Sequence, residues 1–390
     1  MKKILHKIWI RVINKYILFS ALSAIFLVSA NYIINNLPIF TGENLDEQFV
    51  MQIISEKIGR KEIIQYDSIT FINVSNDKQL IYERNKDGNV IKTDAITDRK
   101  KLIQLLSLLE KSASYKYLIL DMMFCKGDTT EHDEELFELI SRMNNIVFVD
   151  HDSIEIAHPC LKEKSAIAEY SATITATNFT RYEYLRGDKR VLPLKIYEEL
   201  NPKKKINRYG WGWFSAYLTD GNLCQKSVFL TFDTKSFDNK VFVDSLRQVN
   251  GFYNMGSDIL MKIDNENVNL NEDAMIKKLS TLNKNKYVII GNLIEDVHDT
   301  YAGAKPGSLI LIRALQFLNQ DRHLVKLSHL LFWLFIYFIV TLFILKRNSV
   351  LLYLPLIRNC KFKIVHYFVN SLSYTLFFFA LECTEYIIFH

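Results

Sequence analysis

The densest run of groups able to do chemistry is Glu295-Asp296-Val297-His298-Asp299-Thr300-Tyr301-Ala302-Gly303, closed by Pro306-Gly307. His and Asp one or two positions apart can supply metal ligands or an acid–base pair. A second set is dispersed: Asp77, Asp121, Asp150 and Asp233 each directly or nearly follow a short apolar stretch. Carboxylates gathered in one cleft repel one another unless a cation, a basic ligand group or a raised pKa relieves them. Each Asp could equally cap a turn or the next helix. Glu131-His132-Asp133 sits at a helix start, where acids cap exposed amides. The candidate ligand-binding residues are therefore Asp77, Asp121, Asp296, His298, Asp299 and Thr300. No catalytic residue, bound metal or cofactor is assigned.

These residues need a scaffold, and the flanking sequence describes one. Residues 68–74 (SITFINV) read as a buried strand, and a loop with Asp87-Gly88 follows. Thr97 or Asp98 then caps a helix with Leu102, Leu105, Leu106 and Leu109 on its apolar face. Residues 117–120 form the next strand, ending at Asp121. Thr130 or Asp133 opens a helix through Leu136, Leu139, Ile140 and Met143. Residues 146–149 form a third strand. Strand signals return at 228–232 and 287–290, and 307–318 reads as a helix. Strands separated by helices imply an α/β fold with a mostly parallel sheet and flanking helices. In such sheets ligands bind beyond the carboxyl ends of the strands, where Asp77 and Asp121 lie. The aromatic group Tyr209, Trp211, Trp213, Phe214 and Tyr217 is expected in the core, beside a short covering helix and a solvated Lys203-Lys204-Lys205. The spacing of Gly291-Asn292 and His298 is similar to the Gly-Asn-His element of metal-dependent phosphoesterases, but Asn and His are not adjacent and no Asp-x-His follows the first strand.

Both ends of the chain carry charge-free apolar runs. Residues 16–42, 327–345 and 364–381 contain no Asp, Glu, Lys or Arg, and about 20 apolar residues cross a bilayer. Lys2, Lys3, Lys7, Arg11 and Lys15 precede the first run. Lys346, Arg347, Arg358, Lys361 and Lys363 lie between the second and third. Basic residues mark the cytoplasmic side. The expected layout is a cytoplasmic segment 1–15, a membrane helix 16–39, an extracytoplasmic domain 40–325, a membrane helix 326–345, a basic cytoplasmic loop 346–363 and a membrane helix 364–388. The first run also fits a cleavable signal peptide with Val28-Ser29-Ala30 as its site. Its continuation through Tyr32, Ile33, Ile34 and Leu37 favours an uncleaved anchor. Residues 40–325 hold 37 Lys plus Arg against 41 Asp plus Glu, whereas the flanks hold 11 against 2. The net charge of +5 is thus a topology signal and gives no support for nucleic-acid binding. Cys125, Cys160 and Cys224 allow one disulfide in the outer domain, with the pairing open.

The order of elements resembles the type-two CHASE domain, a sensory domain found outside the membrane in cyclases and histidine kinases. The residues that carry the resemblance are the strand ending near Asp77; Thr97-Asp98-Arg99; Leu118-Ile119-Leu120-Asp121-Met122-Met123-Phe124; Asp133 and Leu136; Val288-Ile289-Ile290-Gly291; and Asp296-x-His298-Asp299-Thr300 with Gly303 and Pro306-Gly307. The resemblance covers roughly residues 40–325 and the layout of the spans. It implies sensing. Members commonly carry a cytoplasmic output module after the membrane helices, and residues 346–390 hold none.

The sequence therefore leads to a non-enzymatic, membrane-anchored sensor of the inner membrane. It would bind an unknown small ligand and relay occupancy to a separate signalling or membrane protein, with homo-oligomerisation open. The helix at 307–318 would carry the signal toward the span at Leu327. The alternatives are an extracytoplasmic metal-dependent hydrolase using Asp121, Asp296, His298 and Asp299, or a structural subunit of a membrane complex.

Overall fold

The fold is described from a computed structural model, which covers residues 2–35, 66–85, 87, 89–125, 130–151, 158–168, 181–186, 188–211, 214–229, 251–260, 268–300 and 303–345. In chain order it opens with helix α1 (Lys2–Asn35) and continues with strands β1 (Ile69–Asn73), β2 (Lys78–Arg84) and β3 (Val90–Thr97). Helix α2 (Arg99–Ser112), β4 (Tyr117–Asp121), α3 (Asp133–Arg142), β5 (Ile146–Asp150) and β6 (Ser165–Ile167) follow. Next come β7 (Arg181–Glu183), β8 (Leu185–Arg186), β9 (Lys189–Arg190), α4 (Leu192–Leu200), β10 (Asn207–Trp211), β11 (Phe214–Thr219), β12 (Asn222–Cys224), β13 (Ser227–Phe229) and β14 (Phe252–Asn254). The chain then forms α5 (Val268–Asn283), β15 (Tyr287–Gly291), β16 (Val297–Thr300), β17 (Gly303–Pro306), α6 (Gly307–Asn319) and α7 (Leu327–Leu345).

Two units emerge, one made of residues 42–205 and 226–323, the other of both chain ends with residues 206–225. The first is the α/β unit. Its six-stranded sheet runs β14-β1-β15-β4-β5-β6, and every pairing is parallel. The strands are short apolar runs with no alternation because both faces are covered. Ile72, Ile290, Leu120 and Phe148 align across the sheet and pack with Leu102, Leu105 and Leu106 of α2, Leu136 and Ile140 of α3, and Leu279 of α5. One residue earlier, Phe71, Ile289, Ile119 and Val147 align on the opposite face and are also buried. On that side α4 and α6 pack against each other, and α4 lies on β5 and β6. Asp98 caps α2 by accepting the Lys101 amide at 3.0 Å. Nearly inaccessible Arg99 and Asp133 lie 3.3 Å apart and tie α2 to α3, with Arg99 over the Phe124 ring.

Two expectations change. The segment after β1 is an antiparallel ribbon, β2 with β3, in place of the expected loop; Leu80, Tyr82, Val90 and Ile91 are exposed, and Leu80-Ile81-Tyr82 and Val90-Ile91 run consecutively without alternating with polar residues, which hides the strand pattern. The strand signal near 228 is β13, which pairs antiparallel with β7 outside the parallel sheet. Asp233 and the rest of that signal lie outside the described residues.

In the second unit α1 and α7 pack along each other, with Ser20 and Ala24 buried. The segment 206–225 folds with them as an antiparallel sheet, β10-β11-β12. Tyr209 and Tyr217 of the aromatic group therefore leave the α/β core: Tyr217 is buried in this small sheet while Tyr209 is exposed, and Trp213 lies outside the described residues. Among the described residues one helical stretch, Lys15–Ile33, is long and apolar enough to cross a membrane; Leu327–Leu342 is apolar but shorter. The basic loop 346–363 and the span 364–388 lie outside the described residues.

Candidate functional site

The register of the parallel sheet brings four residues into one row at its carboxyl edge: Asn254, Asn73, Gly291 and Asp121. Asn73 is buried and fully used. Its amide donates to Ser75 Oγ at 2.7 Å and Asn254 Oδ1 at 3.0 Å, and its oxygen accepts the amides of Ser75 and Leu293. Gly291 is required by crowding: a Cβ there would sit 2.8 Å from Ser308 Oγ and 2.9 Å from Asp121 Cβ. The missing side chain lets α6 approach the sheet edge.

Asp121 ends β4 and meets the start of α6, whose Ser308 hydroxyl donates to Asp121 Oδ2. Asp121 as a residue is partly exposed, and burial of its carboxyl is the largest cause raising its pKa to about 6. The Ser308 hydrogen bond opposes the rise, the Asp296 carboxylate adds to it, and His298 opposes it. In turn Asp121, after burial itself, pushes the buried Tyr182 phenol up.

The Asp296–Gly307 segment is a tight antiparallel hairpin, β16 with β17, closed by the Gly307 amide donating to the Asp296 carbonyl at 3.1 Å. Asp296 Oδ1 lies 3.3 Å from His298 Nε2. His298 pairs across the hairpin with buried Lys305. Asp299 follows on the other face of the strand and is exposed, and the Thr300 hydroxyl donates to the Gly303 carbonyl at 2.7 Å. Of the sequence-derived set, Asp121, Asp296 and His298 thus act on one another, while Thr300 serves the hairpin turn.

Asp77 belongs to another set of contacts. Its buried carboxylate accepts Lys101 Nζ at 2.7 Å and the Gly256 amide at 2.9 Å, binding the β1–β2 connection to α2 and to the helical turn Met255–Ile259. A Cβ on Gly256 would lie 2.3 Å from Asp77 Oδ1. At the end of β5, Asp150 accepts the His151 amide at 2.7 Å.

The sequence missed Ser308, Asn73 and Tyr182. Pro306-Gly307-Ser308 at a helix start signals a cap, but nothing local connects it to Asp121. The arrangement offers one carboxyl that gains or loses a proton near neutral pH, beside a hydroxyl, an imidazole and a second carboxylate. Among the described residues no three His, Cys, Asp or Glu side chains are grouped to hold a metal ion. No disulfide joins Cys125, Cys160 and Cys224 to one another, and burial pushes the Cys224 thiol up to about 12. Comparison with known proteins finds no matching family model, no matching curated protein and no matching solved structure.

Proposed function

We propose that this chain is a membrane-anchored sensory protein whose α/β unit lies outside the cytoplasm, binds a small ligand at the carboxyl edge beside Asp121, and passes occupancy to a partner protein. The observation that supports this reading is the Asp121–Ser308 pair. It joins the end of a central strand, where parallel sheets bind ligands, to the first turn of α6. Residues 320–326 alone separate α6 from the apolar α7. A ligand that takes the Asp121 proton or displaces the Ser308 hydroxyl has a differential interaction with two states of α6, which is the requirement for a ligand-driven shift. The family resemblance carried by Asp121, the Asp296–Thr300 run and the membrane frame points the same way.

Native mass spectrometry of the full chain in lipid nanodiscs, incubated with a low-molecular-weight fraction of cell extract, tests this reading. A bound species is expected on the wild type, lost from Asp121→Ala and retained by Lys78→Ala, which removes only an exposed ion pair with Glu295. Equal retention by both variants contradicts it. A Gly-Ser insertion between Asn319 and Gln320 is expected to keep the bound species while uncoupling the partner.

A further inference from the structure

The β2–β3 ribbon takes no part in the Asp121–Ser308 contact. Its base is tied to the rest of the α/β unit: Gln79 Oε1 accepts the Arg99 amide at 3.1 Å, and Lys78 pairs with Glu295. Among the described residues neither outer edge of the ribbon is joined to another strand. One face carries Leu80 beside Ala95 and Tyr82 beside Thr93, all exposed. Leu80, Tyr82, Val90 and Ile91 are each between 46% and 60% exposed. A two-stranded ribbon by itself is only marginally stable in water, and a long apolar edge is a template for a further strand.

The residues of β3 say which strand fits. Val90-Ile91-Lys92-Thr93-Asp94-Ala95-Ile96 is complementary to its own reversal: two apolar residues, a cation, Thr, an anion, two apolar residues. Two copies laid antiparallel about a two-fold axis at Thr93 set Lys92 of each against Asp94 of the other. Val90 then meets Ile96, and Ile91 meets Ala95. Centring the axis on Lys92 or on Asp94 instead sets like charges directly opposite, which destabilises a ladder as opposite charges stabilise it. The backbone is in phase for this register. The Asp98 amide donates to the Asp77 carbonyl at 2.9 Å at the base of the ribbon. Backbone groups alternate sides along an antiparallel ladder, so those of Thr97, Ala95 and Thr93 face the outer edge. Lys92 and Asp94 pair with each other along the strand and keep 61% and 37% of their side chains exposed, within reach of a second copy. On the exposed face Leu80, Ala95 and the second copy's Ile91 line up as one apolar row across the joint.

We infer that the outer edge of β3 is a homodimer contact, in which two ribbons join antiparallel about Thr93 into one four-stranded sheet. Such an interface is isologous, so each complementary pair occurs twice. The occupant is a second copy of this chain because the charge pattern matches its own reversal. The inference does not depend on the ligand reading of Asp121.

Charge reversal tests it, with dimerisation of the full chain in detergent micelles read by resonance energy transfer between differently labelled copies. Wild type is expected to dimerise. Lys92→Asp and Asp94→Lys, each alone, set like charges opposite each other twice and are expected to weaken dimerisation about tenfold. Mixing the two single variants restores both complementary pairs, so heterodimers are expected at close to wild-type strength. The double variant Lys92→Asp/Asp94→Lys is expected to dimerise with itself as wild type does. Recovery in the mixture also shows that neither single variant has lost its fold. Dimers of equal strength in all variants overturn the inference and place the contact on another surface. Weakened single variants that do not recover on mixing overturn the antiparallel register. A wild type that stays monomeric overturns the inference and leaves the edge to a different protein.

Discussion

Asp77 and Asp121 lie at or just beyond the carboxyl ends of two strands in one sheet, and the chain surrounds them in opposite ways. Asp77 receives a lysine ammonium and a backbone amide, and its carboxylate in turn, with burial opposing and Asp98 adding, raises the Lys101 pKa. Asp121 receives one neutral hydroxyl while a second carboxylate, Asp296, works against its charge. A carboxylate supplied with a cation and a directed N–H is a brace between elements. A carboxyl supplied with less than its charge requires is poised to change protonation when something approaches. Position after a strand does not separate these roles; the partners do.

The largest effect is expected where the brace is cut. Asp77→Ala leaves the Gly256 amide and Lys101 without their acceptor and should cost about 2–4 kcal/mol in urea unfolding. A loss within experimental error would show that Asp77 is no brace. Gly291→Ala should follow at about 1–3 kcal/mol, because the new Cβ meets Ser308 Oγ and Asp121 Cβ within 3 Å and forces the α6 start away.

Asp121→Asn should differ in kind. With the folded pKa raised above its unfolded value, the wild-type carboxyl stabilises the fold below about pH 4 and loses that contribution as pH rises through about 6. The variant should lack this loss, so above pH 6 it should be more stable than wild type by up to about 2 kcal/mol, allowing for partial exposure. His323 acts with the opposite sign in the same window. Burial, with Lys204 assisting and Asp321 opposing, pushes it down to about 4, so its contribution grows as pH rises from 4 to 6.5. Only the difference between wild type and Asp121→Asn isolates the carboxyl. The smallest effect belongs to Ser308→Ala: about 1 kcal/mol, with the Asp121 pKa moving further up because the opposing hydrogen bond is gone.

The sequence made the frame of this comparison legible. Residues 68–74, 117–120, 146–149 and 287–290 are short, largely apolar runs bounded by polar residues, as a parallel strand buried on both faces has to look, and β1, β4, β5 and β15 fall on them. The leucines of α2 fall at helical spacing behind Asp98. What stayed hidden depends on contacts between distant segments. β14 is three residues long, Phe252–Asn254, and carries no run to notice. β15 comes last among the sheet strands yet sits between β1 and β4, which no local pattern announces. Asp77 looks like Asp121 until Lys101 and Gly256 arrive, and Ser308 gains its meaning from a residue 187 positions away. The segment 206–225 reads as core by its aromatic density but folds with the terminal helices because Tyr32 hydrogen-bonds its strands.

The central claim is that Asp121 is the poised member of the pair. Infrared spectroscopy of the carboxylic acid C=O band across pH, as the difference between wild-type chain and Asp121→Asn, measures its protonation directly. A single carboxyl titrating with a midpoint near 6 is predicted. A midpoint near 4, the value of an ordinary solvated aspartate, would contradict it.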